Sequence, residues 1–265
     1  MNKSTNVGLC EILRRRDLWL KNKGEGGGAK KRHRMMRMHA ELRTREALGP
    51  FGPVEEKNAP DVLYTAGDTA LLTEGSRVAI VGSRKATPDG IKRAQAVTRA
   101  LVQQGIIVVS GLAEGIDTVA HRTAIEEGGR TIAVLGTPLS KAYPATNAGL
   151  LEEIKRDHLA ISQFPEGYPG KSENFPRRNR TMALICDATI VIEASEKSGT
   201  RHQGWEAIRL GRDLYLLENV ATNPNLTWPK QLIEYGAQIL RREDLPDILL
   251  DIPNYTAGGV RAFEL

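Results

Sequence analysis

The chain of 265 residues contains only two cysteines, Cys10 and Cys186. Two thiols can form neither a disulfide framework nor the ligand set of a structural zinc site. We therefore expect no metal and a reducing, cytoplasmic location. Cys186 ends the apolar run Ala183-Leu-Ile-Cys186, which predicts a small residue of the core.

Aromatic residues make up only 5% of the chain, and no apolar run is long enough to cross a bilayer. So few aromatic rings argue against a broad base-stacking sheet of the OB or RRM type. The first thirty residues carry several basic charges and lack the apolar segment of a secretory leader. We therefore expect no membrane partner.

Positive charge is concentrated at one end of the chain. Residues 1 to 50 hold thirteen Lys or Arg against five Asp or Glu, which gives this segment +8, while the whole chain carries +5. The remaining residues therefore sum to −3, and the basic isoelectric point does not predict a basic globular surface. The segment reads either as a flexible basic tail or as a non-specific nucleic-acid arm.

From residue 62 onward, apolar β-like runs alternate with helix-like segments, which predicts a doubly wound, mostly parallel, Rossmann-like α/β fold. We divide the chain into a basic arm and linker at 1–60, the main domain at 61–245 and a tail at 246–265. The predicted strands are 77–82, 106–110, 131–135, 159–162, 188–193 and 213–217, and the predicted helices are 88–104, 116–128, 146–157, 177–186, 201–211 and 229–236.

Two loops follow predicted strands and open predicted helices, an arrangement that favours bound phosphate. The first is Gly82-Ser83-Arg84-Lys85, where glycine permits close approach and Arg84 can grip a phosphate with two hydrogen bonds. A tight turn with two solvated cations is the structural alternative. The second loop contains Ser110, Gly111, Leu112 and Gly115, and ends at Asp117, which we expect to cap its helix.

Two further segments add charge and small residues. The run Phe175-Pro-Arg177-Arg178-Asn179-Arg180 places an aromatic ring beside three arginines, which suits a stacked base and its phosphates. Ser198, Gly199 and Thr200 follow the strand at 188–193, where a phosphate contact and simple helix capping are both open. The number and spacing of these loops favour a nucleic-acid backbone over a single mononucleotide.

No known catalytic signature is complete. The first strand is not followed by Gly-x-Gly-x-x-Gly, and Pro165 replaces the first glycine of a Walker-like loop. His202 and Glu206 stand four residues apart without a third metal ligand in sight. We therefore predict no catalytic residue, no cofactor and no metal site.

Taken together and in order, these segments resemble the DprA/Smf family of DNA-processing proteins. The resemblance covers about two thirds of the chain, from Leu63 to Ile239. It is carried by Leu63-Tyr-Thr-Ala-Gly-Asp68, Val78-Ala-Ile-Val-Gly-Ser-Arg84, Ser110-Gly-Leu-Ala-Glu-Gly-Ile-Asp117, Ala120-His121, Thr131-Ile-Ala-Val-Leu-Gly136, Tyr143-Pro-Ala-Thr-Asn147, Phe175-Pro-Arg-Arg-Asn-Arg180, Glu193-Ala194 and Ser198-Gly-Thr200.

The resemblance implies a Rossmann-like domain that binds single-stranded DNA and forms a homodimer. It also implies a mediator that helps to load a RecA-type recombinase on DNA during natural transformation and homologous recombination. By position, Arg84, the loop at 110–115, Arg177, Arg178 and Arg180 would line the DNA pocket. Many relatives have arginine where this chain has Glu114, so one phosphate contact would be missing here.

Two alternatives use the same loops. The fold is similar to that of the lysine-decarboxylase-like phosphoribohydrolases of the LOG group, which cleave nucleoside monophosphates with a Pro-Gly-Gly-x-Gly-Thr-x-x-Glu loop. Here that stretch lacks the glycine pair, and Gln203 stands where the acid is expected. A passive nucleotide sensor is the second alternative, because phosphate loops do not reveal how many phosphates they bind.

Overall fold

The computed structural model describes residues 40–252, and every structural statement below refers to this part of the chain. The predicted arm up to residue 39 and most of the predicted tail lie outside the described residues. Nine strands form one sheet. They are β1 (Ala40–Arg43), β2 (Val62–Gly67), β3 (Arg77–Gly82), β4 (Ile107–Ser110), β5 (Thr131–Leu135), β6 (Leu159–Ser162), β7 (Ala188–Glu193), β8 (Asp213–Leu217) and β9 (Gln238–Leu240).

Helices connect these strands, with short 3-10 turns at Thr69–Leu72 and Ala145–Asn147. The helices are α1 (Thr44–Leu48), α2 (Pro53–Asn58), α3 (Pro88–Gln103), α4 (Ile116–Glu126), α5 (Ala148–Asp157), α6 (Asn174–Ile185), α7 (Thr200–Arg209), α8 (Glu218–Ala221), α9 (Pro229–Glu234) and α10 (Leu245–Asp251). In this part of the chain no helix combines the length and apolar character that a membrane span requires.

The strand order is β1-β2-β6-β5-β4-β3-β7-β8-β9. Seven strands from β6 to β9 run parallel, and β2 pairs antiparallel with both β6 and β1. The chain builds outward from β3 through β4, β5 and β6, and then returns to place β7 on the other side of β3. Ligands of open α/β sheets bind at such a reversal, outside the carboxyl ends of the strands.

The predicted doubly wound α/β class is confirmed, and five of the six predicted strands have the observed bounds. The fourth element of the sheet, β4, begins at Ile107, one residue later than predicted. The sequence did not reveal β1, β2 or β9. The division at residue 60 stays a prediction, although β1 pairs with β2 and belongs to the same sheet.

The core lies on both faces of the sheet, because successive side chains of a strand point to opposite sides. In β3, Val78 and Ile80 belong to one apolar cluster, which also contains residues of α3 and α4. Ala79 and Val81 belong to another, with residues of α6 and α7. Helices therefore cover both faces, as parallel strands require. Cys186 is buried at 1% exposure, which confirms the predicted core residue.

A buried ion pair joins the amino ends of the two central strands. Arg77 begins β3 and Asp187 precedes β7, and their side chains are 0% and 1% exposed. Arg77 Nη2 lies 3.4 Å from Asp187 Oδ2, and the same oxygen accepts a 2.7 Å hydrogen bond from the Arg77 backbone amide. Burial lowers the pKa of the Arg77 guanidinium, and the Asp187 charge opposes that shift.

A second buried titratable group links α4 to β5. His121 is fully buried, and its Nδ1 lies 2.7 Å from the hydroxyl oxygen of Thr131. That hydroxyl donates to the carbonyl of Val108, so the imidazole donates to Thr131. Burial lowers the pKa of His121 to about 3 from its ordinary value of 6.5. The folded protein therefore holds this ring neutral.

We expect the protein to lose stability in acid because of His121. Between pH 6.5 and 3 the unfolded chain takes up a proton at this ring that the folded chain does not bind. Each pH unit in that window therefore costs about 1.4 kcal/mol of unfolding free energy. Urea unfolding of wild type and His121→Asn at several pH values measures this. The variant should show a shallower pH dependence, and identical slopes would contradict the assignment.

Candidate nucleic-acid interface

An open pocket of about 560 Å³ lies where the strand order reverses, at the carboxyl ends of β3 and β7. We call it the switch-point pocket. It is formed by the loop after β3, the loop after β4, the first turns of α6 and the segment that joins β7 to α7. Ten of the sixteen predicted site residues line it, namely Gly82, Ser83, Arg84, Lys85, Phe175, Arg178, Asn179, Ser198, Gly199 and Thr200.

The loop after β3 presents two exposed cations. Ser83 Oγ accepts a 3.1 Å hydrogen bond from the Lys85 amide, and the Ser83 carbonyl accepts from the Ile116 amide at the start of α4. The Arg84 guanidinium lies over the Phe175 ring, 5.6 Å from its centroid. A cation over an aromatic face is attracted by the ring quadrupole, so Phe175 holds Arg84 at the rim of the pocket.

Three cations of the pocket have no acidic partner in the described part of the chain. Arg84, Lys85 and Lys197 form no ion pair with any residue between 40 and 252, and all three are exposed. Because their charges are not neutralised internally, they attract an anionic ligand. Ser198 Oγ accepts from the Thr200 amide, which orients the segment that enters α7.

The loop after β4 supports the pocket from behind. Ser110 is fully buried and donates its hydroxyl to the carbonyl of Ile80, 2.7 Å away. Leu112 is also fully buried, with a φ of 60°. Gly115 has a φ of 75°, and a Cβ there would lie 2.2 Å from the Ser83 carbonyl oxygen, so only glycine fits. None of these three predicted residues lines the pocket.

Asp117 does not cap α4 as expected. The residue before the helix is Gly115, and the Asp117 carboxylate instead accepts from the amides of Gly111 at 3.1 Å and Ala113 at 3.4 Å. The carboxylate thus fastens the loop after β4 rather than the end of the helix. Burial raises the pKa of Asp117, and the positive charge of Arg178 opposes that shift.

Arg178 is buried at 6% exposure and holds the same loop. Its Nη1 donates to the Gly111 carbonyl at 2.5 Å and to the Val134 carbonyl at 2.9 Å, while Nε donates to Asn179 Oδ1 at 3.0 Å. A Cβ on Gly111 would lie 1.8 Å from that Nη1, so glycine makes room for the guanidinium. Burial lowers the pKa of Arg178 and Asp117 opposes the shift. The residue joins the ends of β4 and β5 to α6.

Arg177 and Arg180 lie outside the switch-point pocket. Arg177 stacks 5.2 Å from the Phe164 centroid and donates to the Tyr168 hydroxyl at 3.0 Å, while Arg180 pairs with Glu206 at 3.2 Å. Both line a separate depression beside residues 58–62. Positions three apart share one face of a helix and adjacent positions do not, so Arg178 points inward when the other two point outward.

Sequence reasoning missed several lining residues, among them Lys197, His202 and Gln203. Gln203 is 1% exposed, and its Oε1 has no hydrogen-bond partner among the described residues. The signal that could have found His202 and Gln203 is helical spacing, because positions 199, 202 and 203 share one face of α7.

The possible metal pair of His202 and Glu206 is not assembled. Glu206 instead pairs with Arg180 and with Arg209, the latter at 3.1 Å. Within residues 40–252, no cluster of three or more His, Cys, Asp or Glu side chains is placed to hold a metal ion.

The fold and pocket together define a Rossmann-like α/β protein with a cationic pocket at the reversal of its strand order. Cations that lack an ion-pair partner between residues 40 and 252, backbone amides at the start of α7 and one aromatic ring meet at the carboxyl edge of the sheet. Comparison with known proteins narrows this class. Residues 50–252 match the family described as DNA recombination-mediator protein A, and the chain belongs to that family.

Named relatives agree with this assignment. The chain is 37% identical to the DNA processing protein DprA of Streptococcus pneumoniae over 191 residues, which is 72% of this chain and 67% of that protein. The X-ray structure of the pneumococcal protein superposes with a TM-score of 0.70 at 31% identity, covering 84% of this chain and 77% of the other.

A second solved relative is DNA processing protein A of Helicobacter pylori, whose structure describes a single-stranded DNA binding mode. It superposes with a TM-score of 0.69 at 26% identity, covering 82% of this chain and 99% of that one. The predicted family and Rossmann-like fold are confirmed. The chain is a DNA-processing protein of the recombination-mediator class, and the phosphoribohydrolase alternative is not favoured.

Proposed function

We propose that the switch-point pocket binds single-stranded DNA, with phosphates held by Arg84, Lys85 and Lys197. The observation that carries this proposal is the group of three exposed cations that line one pocket and form no ion pair among residues 40–252. One of them, Arg84, lies over the Phe175 ring. The similarity to the Helicobacter pylori protein supports a single strand as the ligand. An extended strand also offers the row of phosphates that several separate cations need.

The other predicted site residues have distinct roles in this proposal. Arg178, Asp117 and the loop at 110–115 keep the pocket in shape, because their polar groups already hydrogen-bond to one another. Gly199 and Thr200 bring the start of α7 to the ligand, where backbone amides favour a phosphate. Arg177 and Arg180, which line the separate depression, can contact only DNA that extends beyond the pocket.

We further propose that the protein acts without catalysis, as a mediator that passes DNA to a RecA-type recombinase. The Asp117 carboxylate already accepts hydrogen bonds from two loop amides. In the sequence, Gln203 stands where the phosphoribohydrolase loop has its acid. Family resemblance supports the recombinase partner, a homodimer and a cytoplasmic location. Incubation with AMP tests the enzymatic alternative, since release of free adenine would contradict this proposal.

Fluorescence anisotropy with labelled oligo-dT and a matched duplex, across a salt series, tests the DNA-binding proposal. We expect preference for the single strand. Arg84→Ala, Lys85→Ala and Lys197→Ala should each weaken binding and flatten the log–log salt slope by about 0.7, the value for one lost phosphate contact on a single strand.

Arg99→Ala is the matched control. It removes the same charge from α3, but Arg99 pairs with Glu127 near the end of α4, at the opposite edge of the sheet from the pocket. The control should keep the wild-type slope. If all three pocket variants keep that slope too, phosphates do not bind at the switch-point pocket.

A further inference from the structure

Tyr143 is an exposed aromatic side chain beside the switch-point pocket. It lies between β5 and α5 and is 50% exposed. Only three other large apolar side chains among residues 40–252 are exposed, namely Val54, Tyr235 and Leu250. An exposed ring next to a binding pocket is a candidate contact for the ligand.

The loop that carries Tyr143 is fixed from several sides. Asn147 is 5% exposed, and its Nδ2 donates to the Leu112 carbonyl at 3.0 Å. The Thr137 hydroxyl donates to the Lys141 carbonyl at 2.5 Å, and the Ser140 amide donates to Glu166 Oε1 at 3.1 Å. A side chain on a loop so restrained is presented in a defined position.

Tyr143 continues a row of stacked groups that begins inside the pocket. Its ring centroid lies 5.2 Å from that of Phe175, with the planes inclined by 43°. Phe175 in turn lies under Arg84. We call these three side chains, two aromatic rings and one guanidinium, the rim cluster. Phe175 already has Arg84 and Tyr143 as neighbours, so Tyr143 is the member of the rim cluster that keeps an open aromatic surface.

A cation stands close to this ring along the chain. Lys141 is two residues before Tyr143, is exposed, and makes no ion pair within the described part of the chain. An open ring and a free ammonium group on one loop match the two parts of a nucleotide, because bases stack on aromatic rings while phosphates attract cations.

We propose that Tyr143 is a base-stacking position for the nucleotide next to the one held in the switch-point pocket. The inference rests on the proposed binding of single-stranded DNA and extends the site from the ends of β3 and β7 to the loop after β5. The ligand of this position is a nucleobase of any identity, because every base has a π-face. Tyr143 adds affinity without adding salt dependence.

The test is fluorescence anisotropy of the full chain with oligo-dT and with an abasic strand of the same length, across a salt series. Tyr143→Ala should weaken oligo-dT binding about 5- to 100-fold, the effect of losing one base–aromatic stack. Its salt slope should stay at the wild-type value, and its affinity for the abasic strand should equal that of the wild type. Tyr143→Phe should bind within about twofold of wild type, because the ring is retained.

Two further variants make the result specific. Tyr143→Leu keeps an apolar side chain against Phe175 without a π-face, so it should lose affinity as the alanine variant does. Tyr235→Ala removes an exposed tyrosine that packs on Trp205 of α7. This variant should bind oligo-dT and the abasic strand with wild-type affinity and salt slope. Wild-type affinity of Tyr143→Leu for oligo-dT, or an equal loss on the abasic strand, would overturn the inference. Failure of the wild type to prefer single strands would instead overturn the proposed function.

Discussion

Arg178→Ala is expected to lower the free energy of unfolding by about 3–5 kcal/mol and to abolish binding in the switch-point pocket. The substitution leaves the carbonyls of Gly111 and Val134 without their donor and Asp117 without the nearby positive charge. Removing one member of a buried charged network costs this much, because the remaining groups stay buried and uncompensated. Urea unfolding and oligo-dT anisotropy measure the two effects.

Arg177→Ala is the neighbouring control. It removes a guanidinium that is exposed and lies over Phe164, so its stability cost should stay below about 1 kcal/mol. A different result for Arg178→Ala would assign the residue another role. If that variant were as stable as wild type and lost only a salt-slope increment of about 0.7, Arg178 would be a phosphate ligand rather than a support of the loop.

Asp187→Ala should be equally destabilising, by about 3–5 kcal/mol, without touching the binding site. It removes the carboxylate that neutralises the fully buried Arg77 guanidinium, and breaking a buried ion pair on one side is costly. Asp187→Asn should fall between the alanine variant and wild type, because its amide oxygen can still accept from the Arg77 backbone amide. The measurement is the urea midpoint together with the slope of the transition.

Asp157→Ala supplies the comparison for that prediction. Asp157 pairs with Arg156 on the surface, where both side chains are about half exposed, so its loss should cost less than about 1 kcal/mol. A similar cost for the two aspartates would show that the buried pair contributes no more than a surface pair. The folded fraction of Asp187→Ala should still bind oligo-dT with the wild-type salt slope.

The parallel part of the fold could be predicted because buried strands leave a strong mark in the sequence. β3, with the sequence Arg-Val-Ala-Ile-Val-Gly, is apolar on both faces, and its bounds were read without error. β1, with the sequence Ala-Glu-Leu-Arg, alternates over only four residues, which does not distinguish a strand from a helix. β1 and β2 form an antiparallel edge of the sheet. This edge is defined by pairing between strands that are distant in sequence, so the local sequence pattern does not predict it.

The sequence predicts where the candidate site lies in the fold, but not which side chains point into it. The loops at the carboxyl edge follow from the alternation of strands and helices, so Arg84 and Ser198 were found. Which arginine of α6 points inward depends on where the helix begins. The sequence pattern predicts a start at residue 177, whereas the helix starts at Asn174 and buries Arg178. From composition alone, every arginine of α6 is a candidate DNA ligand. Packing shows that Arg178 already donates hydrogen bonds to backbone carbonyls.

The reversal of strand order also decides when the protein can first hold a ligand during its synthesis. One wall of the switch-point pocket is the loop at 82–85, and another is the segment at 195–203. About 110 residues separate them, and at roughly 5–20 residues per second the ribosome needs about 5–20 s to deliver the second wall after the first. Nascent chains from which β7 and the start of α7 have not yet emerged therefore lack a complete pocket, and capture of nucleic acid at this site waits until the segment at 195–203 has left the ribosome.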